Sequence, residues 1–475
     1  LKKWALTGKW AEKHFMLMGD SVVLSEDEDV IQEINMNASA GFPAGIEHRK
    51  KRGYFGKSAF GPWNKDEEPH VWCDPRRREV LRDMKVYWDE ECIEPVFWTN
   101  NSKGELRNRV KANRNALRVF LGASSKHHYA STKLFVDQNS RFYRSNGKHW
   151  SFVGRSKFYL GFDKLFRRLN KHPNAFEVDE TEFDSSLFRE ALWGMPYIRF
   201  NMLRRDMRTP ENWRRMLNLY RETVDSLIVT EEGDVIQKCT GLPSGSTNTI
   251  VDNTIILFRL LAYAWLVLAE EFAPEMMTYE AFISNVEAAL NGDDNTWTCS
   301  NKVVGWFNAK SVSVVWSRIG VTSKADESPA SMKLLDCGFL SHRFAQLKSG
   351  VIVPVPEYEK VMCSLAYRNK CPRSAKWSLL RACALRIESF MDLKARDDIH
   401  EYIRWLIDNH YDALNMPRDM ADPLDIFTYE DVMSVYKTDV EIHSLYTLEE
   451  GAGVQVNDFF HGCSENVLAE LFKLL

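Results

Sequence analysis

Two clusters of aspartates are the residues of this chain best suited to do chemistry. Asn291-Gly292-Asp293-Asp294 sets two adjacent carboxylates beside a glycine. Val286-Glu287-Ala288-Ala289-Leu290 leads in and Thr296-Trp297-Thr298-Cys299 leads out, the pattern of a strand turning back on itself. Carboxylates at such a tip can hold a divalent cation where a substrate backbone can approach. Asp pairs beside Gly also occur in plain surface turns, so the tripeptide needs support from elsewhere in the chain.

That support lies upstream. Asn174-Ala175-Phe176-Glu177-Val178-Asp179 alternates well enough for a strand over 174–179 that enters a core, and Glu180-Thr181-Glu182-Phe183-Asp184-Ser185-Ser186-Leu187 follows. Asp179 then falls at a strand end and Asp184 in the turn after it. Ser185 and Ser186 are N-cap candidates for a helix from Leu187 to about Arg205. Two metals about 4 Å apart stabilise both the attacking and the leaving oxygen of an in-line displacement, and they need carboxylates from more than one strand. Asp179 and Asp293 are the natural bridging pair, with Asp294 assisting. Asp184 is better placed to read a substrate sugar than to hold metal; its plainer reading is a helix-capping aspartate.

Between the clusters, Gly241-Leu242-Pro243-Ser244-Gly245 is loop chemistry. A long apolar helix follows, from Ile255 to about Phe272. Thr249 and Asn253 are four apart and share a face near its N-terminus, with Asp252 beside them. A flexible Gly-Ser loop feeding a polar helix face suits contact with a nucleotide sugar and a template backbone. The apolar run Ile255–Leu268 is too short for a membrane span and is interrupted by Arg259.

Taken in order and spacing, three of these groups match a family. Asp179 with Asp184, Ser244-Gly245 with Thr249 and Asn253, and Gly292-Asp293-Asp294 resemble motifs A, B and C of the RNA-dependent RNA polymerases of positive-strand RNA viruses. Within that class the chain looks like the picornavirus-like supergroup. Phe183-Asp184-Ser185-Ser186-Leu187 and Val251-Asp252-Asn253-Thr254 look most like potyvirus and astrovirus relatives. Ala38-Ser39-Ala40-Gly41-Phe42-Pro43 is similar to motif G, which places Ser39, Gly41 and Pro43 along the template channel. Lys103-Gly104-Glu105-Leu106-Arg107, then Lys111 and Arg118, ending at Ala123-Ser124-Ser125, look like motif F, whose basic residues receive the triphosphate. The family often has a Lys where this chain has Ala116, and Arg114 is the substitute charge. A helix from Lys302 to Ile319 and the turn Gly320–Glu327 resemble motif D, with Lys324 as general acid for pyrophosphate. Leu335–Phe344 looks like the motif E hairpin that grips the primer end.

The resemblance implies an α+β right-hand polymerase. Fingers would comprise 1–170 with an insertion at 201–239, including a hairpin from Leu227–Thr230 to Val235–Gln237. The palm would comprise 171–200 and 240–350, with an antiparallel sheet of strands at 174–179, 286–291, 295–300 and 335–344 backed by helices. Residues 351–475 would form a helical thumb, with helices at Ala375–Met391, Ile399–Asn409, Glu430–Tyr436 and Glu465–Leu474. Trp4–Met18 would pack as a helix or as a strap toward the thumb. The implied cofactor is Mg²⁺, with Mn²⁺ able to substitute. The implied partners are RNA template, primer or product RNA, nucleoside triphosphates and other viral replication proteins, in a membrane-associated replication complex of the host cytoplasm. Two rivals are weighed against this. A reverse transcriptase typically has an aromatic residue before the Asp pair and an aromatic gate after motif A, where this chain has Asn291 and Asp184. A catalytically dead RNA-binding scaffold would be expected to lack some of the metal-binding aspartates, and all are present.

Bulk properties agree with that reading. At 475 residues the chain exceeds one typical domain and can bury a large core. The net charge is −4, yet basic runs cluster in the N-terminal third, at His48–Arg52, Arg76–Arg78 and Arg107–Arg118. Local basic channels in a neutral shell suit a protein that threads RNA, with affinity falling as salt rises. Nine cysteines without a C-x-x-C pair read as reduced thiols rather than a disulfide framework or a zinc site. His127-His128 reads as structural or RNA-facing. The chain shows no signal peptide and no transmembrane span. It begins at Leu1 without a Met, as a product cut from a polyprotein or a trimmed chain would.

Overall fold

The apolar stretch after Asn248 organises one half of the molecule. A computed structural model describes residues 2–16, 20–35, 38–47, 50–54, 75–103, 109–113, 118–145, 147–325, 331–367, 374–417, 427–449, 460 and 463–474. The chain divides into two compact units: Leu1–Lys103, Val110–Gly154 and Asn174–Ser331 make the first, and Gly104–Arg109, Arg155–Pro173 and Met332–Leu475 the second. The described strands are β1 (Phe97–Ser102), β2 (Val119–Gly122), β3 (Asn174–Glu177), β4 (Leu227–Val229), β5 (Val235–Gln237), β6 (Val286–Asn291), β7 (Asp294–Cys299), β8 (Gly338–Phe339), β9 (His342–Gln346) and β10 (Ile352–Pro356).

In the first unit, Thr249–Phe272 forms a 24-residue helix buried over most of its circumference. A helix apolar all round must be packed all round. The N-terminal helix Lys2–Phe15, the helix Ala309–Ser317 and a sheet ordered β3-β7-β6 surround it. Of the two readings for the N-terminal segment, the structure therefore takes the helix. The Trp316 indole N–H donates to the Leu260 carbonyl at 2.9 Å, and the Thr254 hydroxyl accepts from the Gly292 N–H at 2.8 Å, tying the helix to the β6–β7 turn. Trp297, fully buried, packs on Phe176 with ring centroids 4.3 Å apart and holds β7 to β3. A second sheet is ordered β2-β1-β4-β5, with β1 and β4 parallel and the expected β4–β5 hairpin antiparallel.

The structure departs from the sequence reading in several places. The helix expected from Leu187 to about Arg205 is three short pieces, Phe183–Ser186, Arg189–Trp193 and Met195–Asn201. Gly194 and Pro196 break it, since proline has no N–H to give and crowds the preceding turn. Ser185 and Ser186 lie inside the first piece and cap nothing. The helix expected over Lys302–Ile319 begins only at Ala309, where Asn308 and Ser311 form a reciprocal cap. The strand expected over 174–179 ends at Glu177, and that expected over 335–344 is two strands, β8 and β9, separated by Leu340 and Ser341 in the left-handed region.

A further departure is Asp252, read from sequence as part of a polar substrate face. It is 1 % exposed. Arg199 donates to its Oδ1 from Nε at 2.9 Å and from Nη2 at 2.7 Å, and Tyr220 donates to its Oδ2 at 2.8 Å. Arg199 Nη1 reaches Gln138 Oε1 at 2.9 Å and Asn139 Oδ1 at 2.8 Å, so the guanidinium is fully engaged. His127 is likewise a core residue, its ring against Trp98, and burial holds its imidazole down at about 4. That matches the structural half of its sequence reading.

The second unit carries the sheet β10-β9-β8. Its helices include Gly161–Leu169, Tyr358–Ala366, Ala375–Glu388, Leu393–Asn409, Tyr429–Met433, Asp439–Thr447 and Glu465–Leu474. They close on a core that includes Leu379, Leu380, Ile399, Ile403, Leu445 and Leu471. Leu393–Asn409 starts six residues before the expected Ile399 because Asp392 caps it, accepting from the Ala395 N–H at 3.0 Å.

Candidate active site

The β6–β7 hairpin fixes the tip of the site. Asn291 pairs with Asp294, so Gly292 and Asp293 are the two turn residues. Gly292 has φ +71°, which glycine accepts at the first central position of a tight hairpin turn. Asp293 is therefore exposed at the apex, and Asp294 is the half-buried first residue of β7.

The register of β3 on β7, Glu177 opposite Thr296, carries Val178 and Asp179 past the strand end toward the same tip. Asp179 is exposed, and the turn after helix Ala309–Ser317 is stitched to it. The Lys324 N–H donates to the Asp179 carbonyl at 3.0 Å, the Thr181 N–H donates to the Thr322 carbonyl at 2.9 Å, and Glu180 and Ser323 form an antiparallel bridge. The Lys324 ammonium is ion-paired with the Asp179 carboxylate. The motif D lysine read from sequence thus stands directly on the motif A aspartate.

Asp184 and Asn253 meet across the first unit, the Asn253 side-chain N–H donating to Asp184 Oδ1. Burial pushes the Asp184 carboxyl above its usual range and the Asp293 charge acts the same way, while the Asn253 hydrogen bond and the charges of Lys238 and Arg118 pull it back. The Asn253 carbonyl oxygen is buried without a partner among the described residues. Thr249 spends its hydroxyl at the loop–helix joint, 3.0 Å from both the Pro243 and the Ser246 carbonyls. Ser244 is exposed in that loop. Gly245 lies against the end of β2, where a Cβ would stand 2.0 Å from the Leu121 carbonyl oxygen, so no other residue fits.

Toward the N-terminus, Ser39, Gly41 and Pro43 form one loop. The Ser39 hydroxyl accepts from the Gly41 N–H at 3.2 Å, and the Ser125 hydroxyl donates to the Ala40 carbonyl at 2.5 Å. Ser39 and Pro43 are exposed. Arg118 is exposed, and its carbonyl accepts from the Lys103 N–H at 2.8 Å. Lys111 lies in the short helix Arg109–Asn113. Arg107, Arg114 and Ala116 lie outside the described residues.

Three residues near this site escaped the sequence reading. Glu180 is buried, 7 % exposed, and its carboxyl is held well above its usual range, chiefly by burial, with Asp293 and Asp179 acting the same way. Asn295, 1 % exposed, donates to it. Lys238, whose charge bears on Asp184, is held down at about 8 by burial. For two of them the signal in the sequence was adjacency: Glu180 follows Asp179, and Asn295 follows Asp294; Lys238 adjoins no site residue.

Among the described residues no three His, Cys, Asp or Glu side chains converge as a ready-made metal cage. The donor set nonetheless fits a divalent cation. Mg²⁺ is usually held by one or two carboxylates together with substrate phosphates rather than by a closed protein shell. The Asp293 charge reaches both Glu180 and Asp184, so negative charge gathers here, offset in part by Lys324 on Asp179 and by the charges of Lys238 and Arg118 near Asp184.

Residues 26–402 match the family described as viral RNA-dependent RNA polymerase, and the chain belongs to that family. It is an RNA-directed RNA polymerase, an activity that takes an RNA template and nucleoside triphosphates and, in this family, generally a divalent metal. The genome polyprotein of Soybean mosaic virus (strain G2) is 26% identical over 398 residues, covering 82% of this chain and 12% of the polyprotein. Genome polyprotein 1 of Barley mild mosaic virus is 27% identical over 351 residues, 72% of this chain and 15% of that protein. The chain thus spans a small part of the curated relatives it matches. In structure it is similar to the Sicinivirus 3Dpol RNA dependent RNA polymerase, with TM-score 0.68 at 16% identity over 92% of this chain and 86% of that one. That likeness gives the right-hand polymerase fold. These matches agree with the picornavirus-like and potyvirus-like reading of the motifs and decide against a reverse transcriptase. Among the described residues no helix is long and apolar enough to cross a membrane.

Proposed function

We propose that Asp179 and Asp293, with Asp294 assisting, hold Mg²⁺, or Mn²⁺ in its place, for nucleotidyl transfer from a nucleoside triphosphate to an RNA 3′-hydroxyl. The observation that carries this is the β3-β7-β6 register, which brings a strand end and a hairpin apex, each bearing an exposed Asp, to one place. Bound divalent metal supplies activation of the hydroxyl and neutralisation of phosphate charge. The chain's own residues do the rest. Asp184 and Asn253 read the ribose 2′-hydroxyl, because a site built to hydrogen-bond a hydroxyl rejects a substrate lacking it. Ser244, Gly245 and Thr249 shape the loop that positions template and sugar. Lys324 gives its proton to the departing pyrophosphate. Arg107, Lys111, Arg114 and Arg118 meet the triphosphate, and Ser39, Gly41 and Pro43 line the template channel.

In this reading residues 1–170 and 201–239 are fingers, 171–200 and 240–350 palm, and 351–475 thumb. The enzyme works in the host cytoplasm, with other viral replication proteins in a membrane-associated complex. Primer extension on an RNA template tests it, comparing NTPs with dNTPs and Mg²⁺ or Mn²⁺ with chelator. Metal-dependent RNA synthesis that prefers NTPs is expected. Extension that prefers dNTPs, or that persists in chelator, would overturn the assignment of these residues.

A further inference from the structure

Directly beneath the two proposed metal aspartates lies a contact with no role yet. The Asn295 side-chain nitrogen is 2.9 Å from the Val178 carbonyl, 3.0 and 3.1 Å from the two Glu180 carboxylate oxygens, and 3.3 Å from the Asp293 carbonyl. The Val178 and Asp293 carbonyls can only accept, so the amide nitrogen and not its oxygen must face them. The two N–H groups of this one amide are thus shared among the residues on both sides of Asp179 and the backbone of Asp293 itself. Glu180 and Asn295 are both buried, 7 % and 1 % exposed, and among the described residues no cation pairs with Glu180. A buried carboxylate held by a neutral amide, where a Lys or Arg would bind it more strongly, is a costly arrangement. A lysine or arginine there would also add positive charge where a divalent cation has to sit.

We infer that Asn295, acting with Glu180, is a positioning residue that sets the approach of Asp179 to Asp293 and so the affinity of the site for divalent metal. Neighbouring strands alone leave that approach loose. β3 stops at Glu177, and Asp179 lies two residues beyond its last ladder pair with β7. Asp293 sits in a turn. Residues 179–181 are tied on one side to 322–324; the Asn295 amide ties the same stretch to Asp293 across the end of the β3–β7 ladder, as groups behind metal ligands commonly do. Its carbonyl oxygen, buried without a partner among the described residues, leaves the amide no competing anchor.

This rests on the assignment of Asp179 and Asp293 as metal ligands, and the test separates the two. Mn²⁺ alone is titrated into the full chain without nucleotide, with binding read by the relaxation of water protons. Asp293→Ala should abolish the tight site; full binding there would remove the ligand assignment itself. With that control satisfied, Asn295→Ala should weaken Mn²⁺ roughly 10- to 100-fold. Glu180→Gln keeps an acceptor facing Asn295 and should stay within about threefold of the parent. In steady-state extension, Asn295→Ala should raise the Mn²⁺ concentration for half-maximal rate by roughly the same 10- to 100-fold factor and recover toward the parent rate as metal saturates, a recovery that general loss of fold would not produce. Unchanged Mn²⁺ affinity in Asn295→Ala overturns the inference. So does Glu180→Gln matching Asp293→Ala, which would make Glu180 a ligand. If Asn295→Ala fails to fold, Glu180→Ala removes the other half of the contact and carries the same expected weakening, and unchanged binding there overturns it equally.

Discussion

The Asn253 side-chain N–H donates to Asp184 Oδ1 at 2.5 Å, joining the turn after β3 to the first turns of helix Thr249–Phe272. The two residues are 69 apart in sequence. In the function we propose, a 2′-hydroxyl arriving here would meet both an acceptor and a donor.

Asp184→Ala and Asn253→Ala should therefore relax sugar choice more than they slow NTP use. A buried polar site left unpaired by a deoxy substrate can discriminate by as much as about 10⁴-fold. Single-nucleotide incorporation with matched NTP and dNTP measures the ratio. If both variants keep the parent ratio, the pair does not read the sugar.

Asp293→Ala should abolish extension with the fold intact, because Asp293 is exposed at the hairpin apex and its loss removes no packing. Circular dichroism and thermal melting check the fold, and primer extension the activity. Extension within tenfold of the parent would remove Asp293 from the metal site.

Lys324 stands on Asp179 through an ion pair between two exposed side chains, a contact worth little in stability. Lys324→Leu should accordingly leave the melting temperature nearly unchanged and slow single-turnover chemistry by roughly 10²–10⁴-fold. Lys324→His should restore part of the rate with a lower apparent pKa in the pH–rate profile. Equal rates for Leu and the parent would leave the leaving-group proton to water.

Asp252→Ala separates core from site. It leaves the Arg199 guanidinium buried with no carboxylate, and breaking such a pair costs about 3–5 kcal/mol. Denaturant unfolding should show that loss. Unchanged stability with lost activity would return Asp252 to the substrate face.

Local rules determined what depended on neighbours in sequence. Gly292 followed by Asp293 between two apolar runs was enough for the hairpin. The Gly-Pro-Ser-Gly loop before Thr249 was enough for the loop–helix joint. Gly194 and Pro196 are equally legible as helix breakers within 187–205. What only the tertiary structure decided is where each polar side chain finds its partner. Asp252 and Asn253 are adjacent on one helix and read alike from sequence. Yet Asp252 turns to Arg199, 53 residues away, and Asn253 to Asp184. Lys324 meets Asp179 across 145 residues, and Asn295 meets Glu180 across 115. Backbone preference and turn chemistry act over a few residues, so they can be read locally. Burial and hydrogen-bond partners are set by whatever segment packs alongside, and two neighbouring side chains pointing different ways on one helix meet different segments.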